Sequence, residues 1–86
     1  MNILYHAHFK KKYQKYPEHL KQIIKSRIVL FTQNPFDPLL NNHPLKGNYK
    51  GYRSINITGD FRAIYRLTDP NTAYFVEVDN HSNLYK

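Results

Sequence analysis

The sequence predicts a two-layer α+β domain in the order β-α-α-β-β-β, with a small antiparallel sheet packed against two N-terminal helices. Three observations predict it. Leu20, Ile23, Ile24, Ile28 and Phe31 form an i, i+3, i+4 apolar stripe, the mark of an amphipathic helix that needs a sheet face to cover. Three β-favouring runs, over 52–57, 61–67 and 73–78, are separated by Thr58-Gly59-Asp60 and by Thr68-Asp69-Pro70-Asn71, short turn signals that make a meander. The length of 86 residues leaves room for one domain over 1–86 with one modest core.

Each element has its own local signal. Ile3, Tyr5 and Ala7 alternate with Leu4, His6 and His8, so a first strand is expected over Asn2 to His8. Phe9, Tyr13 and Tyr16 then recur at helical spacing in a Lys-rich stretch that Pro17 interrupts, and Pro17 suits the first turn of a second helix. In that second helix Lys21, Gln22, Lys25 and Ser26 fall on the solvent side, and it stops at Asn34-Pro35. The stretch from Pro35 to Asn48 holds three Pro, one Gly and three Asn, which reads as a long connection. Connections of this length in small domains usually carry function or move. Arg53, Ile55 and Ile57 alternate with Tyr52, Ser54 and Asn56 to open the hairpin.

Composition narrows the class of function. Thirteen Lys and Arg against six Asp and Glu give +7, and twelve of those thirteen bases lie between Lys10 and Arg66. Such a chain suits a polyanion or an acidic protein as partner. The absence of Cys excludes disulfides and thiolate metal sites. The start lacks a charged n-region with an apolar h-region, and no run of ~18 apolar residues occurs, so a cytoplasmic protein is expected, with no membrane partner.

The residues able to carry chemistry cluster in the last third. RNA cleavage by its own 2′-hydroxyl needs a base, an acid for the departing 5′-oxygen and positive charge at the phosphate. Asp60 and Arg62, two apart, share a strand face if the strand begins by Asp60, and a guanidinium can pair two phosphate oxygens. A cross-strand salt bridge is the bland alternative. His81 and Tyr85 lie four apart, and either side chain can move a proton, or the two can be a surface tail residue and a ring packed on the sheet. His43 stands in His43-Pro44-Leu45-Lys46-Gly47, where a loop histidine by itself is usually solvated. Lys46, Lys50 and Arg53 are the expected contacts to the RNA backbone. Lys10, Lys11, Lys12 and Lys15, interleaved with Tyr13 and Tyr16, fit either a nucleic-acid surface or a solvated helix face. His6 and His8, on one expected strand face, lack a third metal ligand nearby. No metal and no cofactor is expected.

Five motifs together resemble a known family: Asn34-Pro35, His43-Pro44-Leu45-Lys46-Gly47, Gly51-Tyr52-Arg53-Ser54-Ile55-Asn56-Ile57, Gly59-Asp60-Phe61-Arg62-Ala63-Ile64-Tyr65 and His81-Ser82-Asn83-Leu84-Tyr85. In order and spacing they resemble the RelE/ParE toxin superfamily, on its YafQ-like branch, along the whole chain. The resemblance implies a type II toxin that cleaves mRNA in the ribosomal A site without a metal and is neutralised by an antitoxin, which the charge of this chain makes an acidic one. It also implies roles: His43, Asp60 and His81 match active-site positions, Arg62 the strand arginine, Tyr85 a functional tyrosine, and Phe61 an aromatic that can stack on a base.

Two departures stand beside these matches. Asn56 occupies the place of a second catalytic histidine, and Glu77 or Asp79 that of an arginine in the final strand, where a carboxylate opposes phosphate binding. Asp79 is expected instead to orient His81, two residues on. Besides the nuclease, two readings stay open: a ParE-like toxin that inhibits a topoisomerase by docking, and an RNA-binding module with impaired catalysis.

Overall fold

The computed structural model describes residues 1–85. The chain forms β1 (Asn2–Tyr5), α1 (Ala7–Lys15), α2 (Glu18–Gln33), β2 (His43–Pro44), β3 (Arg53–Asn56), β4 (Phe61–Asp69), β5 (Thr72–Asn80) and α3 (His81–Leu84). The strands make one five-stranded sheet in the order β1-β5-β4-β3-β2. β2 to β5 pair antiparallel, as the expected meander requires, whereas β1 pairs parallel to β5 from Asn2↔Thr72 to Tyr5↔Phe75. Alternation identifies a strand but not its partner, so this parallel edge was not legible in the residues.

β1 is shorter than expected because His6 leaves the ladder. Its backbone is extended, and its Nδ1 accepts the His8 amide at 3.0 Å, capping α1 with a ring in place of the usual hydroxyl or carboxylate. His8 therefore sits inside α1, and the shared strand face of His6 and His8 does not exist. α1 runs along the stretch of β5 that β1 leaves uncovered, where the Tyr16 hydroxyl donates to the Val78 carbonyl at 2.6 Å. That contact covers an otherwise open sheet edge.

The core lies between the helices and one face of the sheet. Ile24, Ile28 and Phe31 of α2 are buried, and Phe31 stands edge-on to Tyr65 and Phe75 with ring centroids 4.8 and 5.5 Å apart. The connection after α2 is more structured than its composition indicates. It holds a 3₁₀ turn (Pro38–Leu40) capped by the Asp37 carboxylate, then β2, then a second 3₁₀ turn (Gly47–Tyr49). Leu40 is fully buried and pins the segment to the core. Asn41 (φ 45°) adopts the left-handed conformation that Asn tolerates, which turns the chain into β2.

The opposite sheet face carries a second, smaller covered patch. Ile64 points away from the helices yet is fully buried, and Leu84 of α3 is nearly so. α3 and the 45–52 segment thus fold over the end of the sheet where the candidate site forms.

Candidate active site

Strand parity sorts the candidate residues. On β4, Phe61, Ala63 and Tyr65 share the core face, and Arg62, Ile64 and Arg66 share the other. On β3, Arg53 and Ile55 face the core, while Ser54 and Asn56 face outward. His43 of β2 pairs with Ser54 and so joins the outward face.

α3 completes this face by a local device. Asn80 caps it, its Oδ1 accepting from the Asn83 amide at 2.8 Å and the Ser82 hydroxyl at 3.1 Å. The His81 amide donates to the Asp60 carbonyl at 2.8 Å, fastening the turn to the β3–β4 connection. One helical turn then places the His81 and Tyr85 rings side by side, centroids 4.7 Å apart. The result is a cavity of about 390 Å³ on the outward face, lined by His43, Lys46, Arg62, His81 and Tyr85 together with Asn41, Pro44 and Leu45.

Each side chain in the cavity has a set orientation. His43 Nδ1 lies 2.7 Å from the Asn41 carbonyl, so it carries the proton and donates it there, leaving Nε2 as an acceptor. Arg62 donates through Nη1 to the carbonyls of Thr58, Gly59 and Phe61 at 3.0, 3.0 and 3.1 Å. Its Nε and Nη2, the edge that grips an oxyanion in a fork, make no hydrogen bond among the described residues.

Five expected placements are corrected. β4 begins at Phe61, so Asp60 lies in the turn, exposed and outside the cavity lining, and what it gives α3 is its backbone carbonyl. Phe61 packs against the core, edge-on to Tyr16 at 5.3 Å, because it shares parity with Ala63 and Tyr65; it is not at the site. Arg53 lies on the core face, bonded through Nε to Asn42 Oδ1 at 2.8 Å and lying over the Phe36 ring at 5.4 Å. It is a structural latch for the 35–42 segment. Asp79 makes no bond to His81; it binds Lys12, Asn83 and the Asn80 amide. Lys50 is exposed and outside the lining.

The carboxylates of β5 are compensated from α1. Lys12 Nζ lies 2.7 Å from Glu77 Oε1 and 2.7 Å from Asp79 Oδ2, and His8 Nε2 lies 2.9 Å from Glu77 Oε2. Burial acts to raise the Asp79 pKa, but hydrogen bonds from Lys12, Asn83 and the Asn80 amide, with the Lys12 charge, together hold it below the ordinary carboxylate value. Burial likewise works to lower the Lys12 pKa, and the two carboxylates reverse it, so the ammonium is held charged. No feature of the sequence links residue 12 to 77 and 79; only the fold brings them together. Asn56 contributes no proton-transfer group, and its buried Oδ1 has no hydrogen-bond partner among the described residues, beside its cross-strand neighbour Arg62.

A family model described as "Bacterial toxin of type II toxin-antitoxin system, YafQ" matches residues 1–86. The chain belongs to the YafQ toxin family. Among curated relatives, the mRNA interferase toxin YafQ of Escherichia coli (strain K12) is 38% identical over 48 residues, covering 54% of this chain and 52% of that toxin. The matched segment thus spans about half the length of that relative. The crystal structure of YafQ from E. coli strain BL21(DE3) superposes with a TM-score of 0.82 at 27% identity, over 99% of this chain and 98% of that one. The toxin in the E. coli DinJ-YafQ toxin–antitoxin complex gives 0.79 at 27% identity, over 99% and 97%. The YoeB/ParE toxin of Agrobacterium tumefaciens gives 0.78 at 25% identity, over 94% and 99%. The α+β arrangement expected from the sequence is therefore the YafQ fold.

Proposed function

We propose that this YafQ-family chain is an endoribonuclease toxin that cleaves mRNA by 2′-hydroxyl attack, acting in the ribosomal A site in the cytoplasm and held inactive by an acidic cognate antitoxin. The observation that carries this reading is the cavity in which His43, Arg62, His81 and Tyr85 meet. The mRNA interferase name of the E. coli relative and the antitoxin bound to YafQ in the DinJ complex support it.

The roles follow from the orientation of each group. His43 Nε2 takes the 2′-hydroxyl proton, and the 2′-oxygen attacks phosphorus. The P–O5′ bond breaks as His81 returns a proton to O5′, leaving a 2′,3′-cyclic phosphate and a 5′-hydroxyl, so atoms and charge balance without water. Arg62, through Nε and Nη2, and Lys46 stabilise the charge that grows on the non-bridging oxygens. Tyr85 holds the His81 ring in place and presents its hydroxyl to the same phosphate. Asp60 acts through its backbone only.

One observation favours a second reading, an RNA-binding toxin with weakened catalysis: Asn56 puts an amide where a second histidine is expected. A ParE-like docking mode has less support, because it gives no role to the paired His81 and Tyr85. The deciding experiment is to induce the chain and map RNA ends in translating cells. New ends within coding sequence that vanish in His81→Ala support cleavage. Growth arrest with intact mRNA would favour docking on another target.

A further inference from the structure

Beyond the cavity, the outward sheet face stays open. Its other half is built by Leu4 of β1, Tyr74 of β5 and Arg66 of β4, which are register partners across three strands. Leu4 is 52% exposed, and Tyr74 and Arg66 are partly exposed. The Arg66 guanidinium lies over the Tyr74 ring at 5.4 Å, and the His6 ring stands 5.8 Å from the same ring. Among the described residues Arg66 forms no ion pair and no hydrogen bond, whereas the β5 carboxylates on this face are taken by Lys12 and His8. The patch is therefore a cation and two aromatic rings in contact, without a neutralising acid.

We infer that His6, Tyr74 and Arg66 form a second RNA subsite, a stacking platform for an unpaired base of the substrate strand. This rests on the nuclease reading and extends it away from the scissile phosphate. Arg66 and Arg62 point to the same side of β4, four residues apart, which is ~13 Å at the usual rise of a strand. A single strand gripped at Arg62 can thus run along the outward face and reach the platform. Aromatic faces and guanidinium planes accept any base, so the platform adds affinity and fixes the direction of the strand without setting sequence preference. The net charge of +7 favours a polyanion over an apolar or basic occupant.

The test is titration of the full chain into a labelled 2′-O-methyl oligoribonucleotide, which binds but cannot react. Arg66→Lys keeps the charge and removes the plane, and Tyr74→Leu removes the ring, while Tyr74→Phe keeps it. Arg66→Lys and Tyr74→Leu should each weaken binding about tenfold, with Tyr74→Phe near wild type. Removing the base of one nucleotide should cost the wild type about as much and cost Tyr74→Leu nothing further. Wild-type affinity in Arg66→Lys and Tyr74→Leu would overturn the subsite, and cleavage that persists would then leave the nuclease reading standing. Loss of a copurifying antitoxin from these variants, with RNA affinity intact, would assign the face to a protein and also overturn it. A wild-type chain that neither binds nor cleaves RNA removes both readings.

Discussion

Lys12 of α1 stands 2.7 Å from Asp79 of β5, a bridge across 67 residues of sequence between the first helix and the last strand. It answers the charge problem that two carboxylates raise beside the proposed phosphate site. Lys12→Met should leave Asp79 without its cation and Glu77 with His8 alone, lower cleavage several-fold through weaker RNA binding, and cost roughly 1 kcal/mol of stability, since the pair is only partly buried. Adding Asp79→Asn should restore part of both losses. A double-mutant cycle in urea, with KM measured alongside, checks it; additive effects would show that the two residues act independently.

Acid should loosen the same link. The folded-state pKa of Asp79 is depressed, so its contribution to stability is present above the unfolded value and is lost as pH falls through the folded one. The melting temperature should therefore drop below about pH 4, and Asp79→Asn should flatten that drop. Thermal melts across the acid range decide the matter, and equal acid slopes for both proteins would rule the link out.

Tyr16 should act at the other extreme. Burial, with the charges of Asp79 and Glu77, pushes its pKa to about 12, while Lys12 works in the opposite direction. A raised folded-state value means that its contribution is complete below pH 10, its ordinary value, and disappears as pH rises towards 12. Tyr16→Phe, which also loses the bond to the Val78 carbonyl, should be less stable at neutral pH and show a shallower alkaline decline. Tyrosinate absorbance and melts above pH 9 would report this; an alkaline decline unchanged in the variant would contradict it.

Asn83 should matter to catalysis more than to folding. Its amide side chain donates to Asp79 at 3.0 Å and helps hold the turn that aligns His81 with Tyr85. Asn83→Ala should lower kcat several-fold with KM and melting temperature little changed. A loss of affinity at unchanged kcat would place Asn83 in binding.

Much of this was legible because local patterns coincide with local causes. The α2 stripe, the turn at Thr58-Gly59-Asp60 and the stop at Asn34-Pro35 each depend on neighbours in sequence, and each stands where expected. Parity also held unused information: Phe61 alternates with Arg62, so the two cannot share a face, and Arg53 goes with Ile55 into the core. The remainder depends on contacts between distant segments. The capping role of His6, the parallel place of β1, burial of Leu40 and the Lys12 bridge carry no periodic signal. The resemblance gave the cavity residues His43, Arg62, His81 and Tyr85, for which spacing alone favoured the bland reading over the catalytic one.

The proposed reaction turns on His43 and His81 moving protons for an attack by the 2′-hydroxyl. The most direct measurement is the chemistry of the RNA ends that the purified chain leaves on mRNA in programmed ribosomes. Proton transfer by these two histidines predicts 2′,3′-cyclic phosphate and 5′-hydroxyl ends, with the rate falling about 10²- to 10⁴-fold in His43→Ala or His81→Ala. Ends bearing a 5′-phosphate and a 3′-hydroxyl, or an undiminished rate in both variants, would contradict it.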